Sequence, residues 1–226
     1  GEILYWNKPH LGTDVLISVV EHIRKEIESL GGEVRFGTQL TDIDIRDGRV
    51  RGVYTKCNDV PEQEAAYLET EVLVLAIGHS ARDTVEMLYK NGAQIIQKPF
   101  SVGARIEHPQ KLIDKAQYGA FAGHPKLGAA DYKLSCHGLH QRGAYTFCMC
   151  PGGTVVAAAR DKGGVIVNGM STLARDGENA NSALLVGIDP VDFPSEHPLA
   201  GMYYQREIEQ NAFALGGGDY RAPAQL

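Results

Sequence analysis

The segment that most constrains the fold is an apolar run, "VLVLAI", at residues 72–77. It ends at Gly78, and a helical pattern follows over residues 81–91 with Gly92 as its end. A short run that is apolar at every position predicts a strand buried on both faces, as in a parallel sheet covered by helices. A glycine after such a strand allows a sharp turn beside a ligand. The segment therefore predicts part of a doubly wound α/β fold, in which nucleotides bind at this edge.

The nucleotide interpretation stays open at this point, because the pattern that normally accompanies it is absent. A dinucleotide-binding fold carries G-x-G-x-x-G between a strand and a helix, and the start of that helix binds the pyrophosphate. No such pattern occurs in the 226 residues. Residues 76–81 are therefore compatible with a nucleotide contact and also with an ordinary strand–turn–helix that has a packing glycine.

Composition and charge argue against several classes of function. The chain has 226 residues, 43% of them apolar, and a formal net charge of −6. It can bury a core, and an acidic chain without a basic stripe does not suggest a nucleic-acid binder. Its longest apolar run is far shorter than the roughly 20 residues of a membrane helix. Four cysteines are too few for a disulfide scaffold of this size, so we expect a reduced, cytoplasmic protein.

The first part of the chain predicts a helix, a β-meander, the apolar strand and a second helix. Apolar residues recur at three- and four-residue spacing over residues 13–30, which indicates a helix with Thr13 or Asp14 as its cap. A short strand is expected at residues 33–36. Asp47-Gly48 then separates two alternating segments, which is a strong signal for a two-residue hairpin.

From residue 100 onwards the pattern changes to short strands, so the second part is expected to be mostly β. A helix is predicted over residues 109–116, and a closing helix over residues 200–215 ends at three glycines. The predicted strands are residues 100–107, 132–136, 144–150, 154–158, 164–167 and 183–188.

A group of cysteines and histidines could carry chemistry. The group comprises Cys136, His137, His140, Cys148 and Cys150, whose spacing could supply zinc ligands but matches no standard finger. A thiol nucleophile is a second alternative. Cysteines buried in a strand core are the simpler interpretation, with Cys148 and Cys150 on one face because side chains alternate along a strand. We therefore predict no metal site.

Three further segments could approach a ligand. Residues 150–153, "CPGG", predict a turn with little side-chain bulk, whose backbone could meet a flat or anionic group. Residues 168–182 form the most polar long loop, for which a ligand-facing loop and a solvated surface loop remain alternatives. Residues 5–10, "YWNKPH", place the only tryptophan beside a lysine and a histidine, as in the lining of a site or in an anchored chain end.

Several longer motifs together resemble one family. They are "KPHLGTDVL", "VLVLAIGHSARDT", "PFSVGARIEHPQ", "LGAADYKL", "YTFCMCPGG", "VNGMSTLARDGENANSALL" and "APAQL". These motifs resemble the bacterial FAD-dependent dehydrogenases of unassigned substrate, which are flavoproteins of the glutathione-reductase and p-hydroxybenzoate-hydroxylase type. The resemblance extends over almost the whole chain.

The resemblance implies an α/β plus α+β fold. Residues 1–98 would be part of a Rossmann-like FAD-binding domain with a β-meander, and residues 99–226 a mostly β substrate domain. In such flavoproteins the glycine fingerprint and the segment that closes over the isoalloxazine lie outside the part matched here, so we expect an internal piece of a longer protein. No catalytic acid or base is implied, and His10 and Arg105 are guesses for that role. The implied FAD contacts are Leu40, Ala76, Gly78, His79, Arg175, Asn179 and Asn181.

The function expected from these observations is flavin-mediated transfer of hydride or electrons. The FAD would be bound by the full-length protein, whose partner would be a small-molecule substrate and whose electron donor could be NAD(P)H. The piece itself is expected to be inactive. The alternative is a cofactor-free binding module that keeps a flavoprotein scaffold, and a G-x-G-x-x-G sequence upstream in the same gene would distinguish the two.

Overall fold

The computed structural model describes residues 10–59, 64–139 and 142–225. Helices and antiparallel strands are mixed along this part of the chain, as in an α+β protein. None of the helices in the described ranges is both long and apolar enough to cross a membrane. The described α-helices are α1 (Thr13–Ser29), α2 (Arg82–Lys90), α3 (Gln110–Tyr118) and α4 (Ala200–Leu215).

The strands form three antiparallel sheets. The orders are β1-β2-β3, β4-β9-β6-β5 and β7-β8. The strands are β1 (Thr38–Arg46), β2 (Arg49–Cys57), β3 (Ala66–Glu69), β4 (Phe100–Pro109), β5 (Ser135–Leu139), β6 (Arg142–Cys150), β7 (Thr154–Ala158), β8 (Ile166–Met170) and β9 (Asn179–Ile188).

The first sheet confirms the predicted hairpin and meander. Asp47 and Gly48 have φ angles of 52° and 72°, and both central residues of a type I′ turn require such positive values. The hairpin brings Ile43 opposite Val53, and these are the two buried apolar residues of the sheet. The local turn chemistry therefore sets the register that buries this pair.

The second sheet carries the main described core. Ile188 at the end of β9, Phe193 and Ala200 at the start of α4 are buried together, and Phe100 of β4 stacks on Phe193 with ring centroids 5.3 Å apart. The β4–β9 register runs unbroken from Phe100 opposite Ile188 to Pro109 opposite Asn179. The core at one end of this pair therefore determines which side chains meet at the other end.

The apolar strand predicted at residues 72–77 does not form, and neither does the strand predicted at residues 33–36. All sheets in the described part of the chain are antiparallel, so the predicted parallel sheet is wrong for this structure. The physical reason is that a strand exists only beside a partner, and no described strand pairs with either segment. Val72 and Val74 are consequently 76% and 82% exposed.

Three predicted boundaries in the second half also shift. The strand predicted at residues 132–136 is found at Ser135–Leu139, and the one predicted at residues 164–167 is found at Ile166–Met170. The polar loop is shorter than predicted, because its first residues extend β8 and its last residues begin β9. Pairing across each sheet, which a single segment does not show, decides where these strands begin and end.

Candidate functional site

The polar loop, now residues 171–178, is held against the glycine turn at residues 151–153. The N–H of Gly177 donates to the carbonyl of Gly152 at 3.2 Å. Gly152 has a φ of 54°, and a Cβ at this position would collide with the carbonyl of Arg175. The glycine is therefore required for both its backbone conformation and this close approach.

A buried glutamine that the sequence analysis missed joins the turn and the loop to the second sheet. Gln110 begins α3, and its Oε1 accepts a hydrogen bond from the N–H of Gly152 at 2.9 Å. Its side-chain amide donates to the carbonyl of Ala130 at 2.9 Å, and its backbone N–H donates to the carbonyl of Glu178 at 2.9 Å. A buried amide that satisfies this many groups fixes their relative positions.

The start of α1 docks on the same loop. The N–H of Thr13 donates to the carbonyl of Ser171 at 3.1 Å, and Asp14 accepts a hydrogen bond from the N–H of Leu173 at 3.0 Å. The predicted capping role of Thr13 or Asp14 is therefore wrong: Gly12 is the N-cap, and no side chain caps the helix. His10 Nε2 lies 3.0 Å from the carbonyl of Thr172, so this guess for a catalytic group lies beside the loop.

One face of the β4–β9 pair carries four polar side chains: Arg105, Glu107, Asn179 and Asn181. They share this face because Glu107 lies opposite Asn181 and side chains alternate along a strand. Arg105 Nη1 donates to Asn181 Oδ1 at 2.6 Å and to the carbonyl of Cys148 at 3.2 Å. Asn179 Nδ2 donates to Glu107 Oε1 at 2.6 Å. Each asparagine therefore binds one member of a potential arginine–glutamate pair.

Asn181 is completely buried, with an exposed fraction of 0%. Its Nδ2 atom has no hydrogen-bond partner among the described residues, and neither does the buried Nε of Arg175. A Cβ at Gly169 would collide with Asn181 Oδ1 and Arg105 Nη1. The asparagine thus supports Arg105 from behind, and a ligand would meet the arginine first.

The cysteines are not arranged as predicted. A register shift between Phe147 and Cys150 breaks the strand alternation, and Cys148 has a φ of 51°. Cys148 is therefore exposed while Cys150 is buried, so the prediction that both thiols share a face is wrong. Burial raises the pKa of the Cys150 thiol, and the neighbouring Cys148 adds to the effect. At neutral pH this thiol stays protonated and carries no negative charge.

Within the described ranges, no three side chains of histidine, cysteine or acidic type are grouped as metal ligands. Cys136 is exposed at the edge strand β5. His140 and residues 5–9, which belong to two of the candidate clusters, lie outside the described residues.

The FAD contacts implied for the first part of the chain lie apart from the loop. Leu40 is half-buried in β1 opposite Thr55. Ala76 lies just before the turn that precedes α2, Gly78 and His79 lie in that turn, and all three are exposed. Gly78 has a φ of 64°, and a Cβ there would have no atom within 4 Å, so its backbone is open to an approaching group.

A buried ion-pair network connects this first group to the second half of the chain. Arg82, the first residue of α2, is 2% exposed and donates to both carboxylate oxygens of Glu209 in α4 at 3.0 Å. It also donates to Asp161, which accepts a further hydrogen bond from Arg206 at 3.1 Å. Arg160 donates to Glu209 at 2.7 Å. The network therefore fixes the start of α2, just after the Gly78 turn, on α4.

Desolvation and ion pairing act in opposite directions in this network. Burial raises the pKa of Asp161, but the hydrogen bonds from Arg82 and Arg206 outweigh it, so the pKa lies below its ordinary value. Burial lowers the pKa of Arg82, but Glu209 and Asp161 outweigh it, so the pKa is raised. Asp161 and Arg82 are therefore both charged at neutral pH.

Comparison with known proteins gives two matches. Residues 99–226 match the family described as "FAD-dependent protein, C-terminal domain-like". A protein of Clostridium beijerinckii, described only as uncharacterized, is 51% identical over 227 residues, which include all of this chain and 41% of that protein. The chain thus spans less than half the length of this relative. Since the family match covers more than half of the residues, the chain belongs to the family of FAD-dependent proteins, through its C-terminal-like domain.

Proposed function

We propose that this chain is part of a longer FAD-dependent oxidoreductase and supplies some, but not all, of the flavin site. The observation that carries the proposal is the apolar surface that the described residues leave exposed. Helix α1 has no buried residue, although it carries the predicted apolar stripe, and the run at residues 72–77 pairs with no strand in the described part of the chain. Surface of this kind is normally covered by further chain or by a partner.

The free energy available from covering this surface is substantial. The largest exposed side chains of the helix stripe and its end are Leu16, Ile17, Val20, Ile23, Ile27 and Leu30, each 44–79% exposed. Full burial of one such side chain contributes roughly 1.5–3 kcal/mol. Scaled by these exposed fractions, covering the six side chains would contribute on the order of 5–10 kcal/mol, which is comparable to the stability of a whole domain. In our proposal, the covering segments include the strand–turn–helix that binds the pyrophosphate.

The described residues fit part of an FAD site. The open backbone at Gly78 suits a close approach by the cofactor, and the Nε of Arg175 is a buried donor without a partner among the described residues. Donors of this kind suit the acceptor atoms at the edge of a flavin ring. The pyrophosphate would need the glycine fingerprint, which the 226 residues lack.

When bound, FAD would supply the hydride or electron chemistry, and the protein would orient the substrate and exclude water. A small-molecule substrate and a reduced nicotinamide nucleotide as donor belong to the same proposal. So does a reducing, cytoplasmic setting, which agrees with four cysteines that are all free.

The first test compares the visible absorption spectrum of the longer protein with that of this chain, each after incubation with FAD and removal of the excess. We expect flavin bands in the longer protein only. The absence of bands in both would contradict the proposal and favour a cofactor-free binding module.

A matched pair of variants tests the Gly78 contact in the longer protein. Gly78 and Gly92 both have positive φ angles and no atom within 4 Å of an added Cβ, so alanine strains the backbone similarly at each. We expect Gly78→Ala to weaken FAD binding about tenfold or more and Gly92→Ala to leave it unchanged. Equal effects of the two variants would remove Gly78 from the site.

A further inference from the structure

Four half-buried arginines of the described residues form no ion pair, namely Arg24, Arg51, Arg105 and Arg175, and Arg105 is the one whose guanidinium is held there by hydrogen bonds. Arg82, Arg160 and Arg206 each form an ion pair with a carboxylate within 3.3 Å. Arg105 has no carboxylate within 4.0 Å in the described ranges, and its hydrogen bonds go to an amide oxygen and a backbone carbonyl. Its positive charge is therefore not neutralised by these neighbours.

The nearest carboxylate on the same strand face is occupied elsewhere. Glu107 lies two residues along β4, and it accepts a hydrogen bond from Asn179 at 2.6 Å. The thiol of Cys150, which also lies beside Arg105, stays neutral because burial raises its pKa. The groups in direct contact with the guanidinium, an amide oxygen and a backbone carbonyl, are neutral, and they leave its positive charge available to an anion.

One edge of the guanidinium is anchored and the other is open. Nη1 makes both hydrogen bonds. Nε and Nη2 have no hydrogen-bond partner among the described residues, and neither atom is buried. The anchor is closely packed, because Asn181 is fully buried and the backbone of Gly169 lies against both Asn181 and Arg105. The Nε–Nη2 edge offers two parallel N–H donors, a geometry that matches the two oxygens of a carboxylate.

We propose that Arg105 binds a carboxylate group of the substrate, so that the small molecule handled by this protein is a carboxylic acid. The assignment rests on the proposed oxidoreductase function, whose substrate class it specifies. The open edge could pair with a carboxylate or a phosphate, and we choose the carboxylate because its single negative charge matches the single charge of the guanidinium; competition with inorganic phosphate distinguishes the two. Asn181 is the positioning residue, since it holds Nη1 and directs the opposite edge outward.

The test measures binding of 4-fluorobenzoate to the 226-residue chain by fluorine NMR, with 4-fluorobenzamide as the neutral control. We expect the benzoate to bind, the benzamide to bind much more weakly, and Arg105→Met to weaken benzoate binding about tenfold or more. The matched control is Arg46→Met, which removes a surface arginine paired with Asp44 and should leave the binding unchanged. Circular dichroism checks that each variant is folded.

Arg105→Lys keeps the positive charge but loses the two parallel N–H donors. If Arg105→Met does not fold, benzoate binding by Arg105→Lys tests the proposal instead. We expect Arg105→Lys to weaken benzoate binding as well. Equal binding of benzoate and benzamide, unchanged binding in Arg105→Lys, or displacement of benzoate by a much lower concentration of inorganic phosphate would overturn the proposal.

The same titration on the longer protein separates this inference from the proposed function. If that protein retains FAD but Arg105 does not affect benzoate binding, only the carboxylate site is refuted. If Arg105 governs benzoate binding but no flavin is retained, the carboxylate site stands and the oxidoreductase assignment fails.

Discussion

Replacing Arg82 by methionine is the sharpest test of how the two halves of the chain are connected. The side chain is 2% exposed, and its guanidinium donates to Glu209 and Asp161. Methionine keeps much of the apolar volume but removes the charge. Glu209 and Asp161 would then remain partly or fully buried, each with one remaining arginine partner.

The expected cost follows from that geometry. Removing one partner of a buried ion pair costs about 3–5 kcal/mol, because the other charge is left without compensation. Here Arg160 still contacts Glu209 at 2.7 Å and Arg206 still contacts Asp161 at 3.1 Å, so we expect a value near the lower end, about 3 kcal/mol. For a chain of this size, that corresponds to a fall in Tm of roughly 6–12 °C.

The assay is thermal and urea unfolding followed by circular dichroism, with Arg46→Met as the control. Arg46 is also paired with an aspartate, but it is 70% exposed, and surface pairs contribute little to stability. If the two variants lose the same amount of stability, the buried network does not hold α2 on α4.

The pH dependence gives a second readout of the same variant. The pKa of Asp161 is lowered in the folded chain, so its contribution is present above the ordinary aspartate pKa and is lost as the pH falls. Since Arg82 is the main cause of that lowering, Arg82→Met should lose less stability between about pH 5 and pH 3 than the unaltered chain. An identical acid dependence would contradict the assignment.

Three further predictions concern local geometry. Hydrogen bonds from Arg142 hold the pKa of Asp192 at about 2, so Asp192→Asn should reduce the loss of stability as the pH falls from about 4 towards 2, measured by thermal unfolding at each pH. Gly48→Ala should destabilise the hairpin by roughly 1 kcal/mol in urea unfolding, because its φ is 72°. Gly169→Ala should cost about 1–3 kcal/mol, because the new methyl group collides with the fully buried Asn181, and it should also weaken benzoate binding. A neutral effect of any of these three changes would refute the geometry behind it.

Local segments of the sequence were sufficient to predict those elements whose backbone conformation depends on residues a few positions away in the chain. The helix stripe, the Asp47-Gly48 turn, strand β7 and helix α4 were all predicted within one residue of their observed bounds. In each of them, the periodicity of apolar residues or the φ preference of a glycine acts over a few positions. The apolar run at residues 72–77 shows the limit of this reasoning, because a strand also needs a partner.

The candidate site was decided by the tertiary structure. Arg105 and Asn181 are 76 residues apart in the sequence, Gln110 and Gly152 are 42 apart, and Arg82 and Glu209 are 127 apart. No local pattern marks any of these pairs, although resemblance to a family had directed attention to Asn181. The sequence determined which segments can be helix, turn or strand. Only the folded chain determined which charges are buried together and that one edge of the Arg105 guanidinium stays open, because burial and pairing depend on residues that meet through the fold.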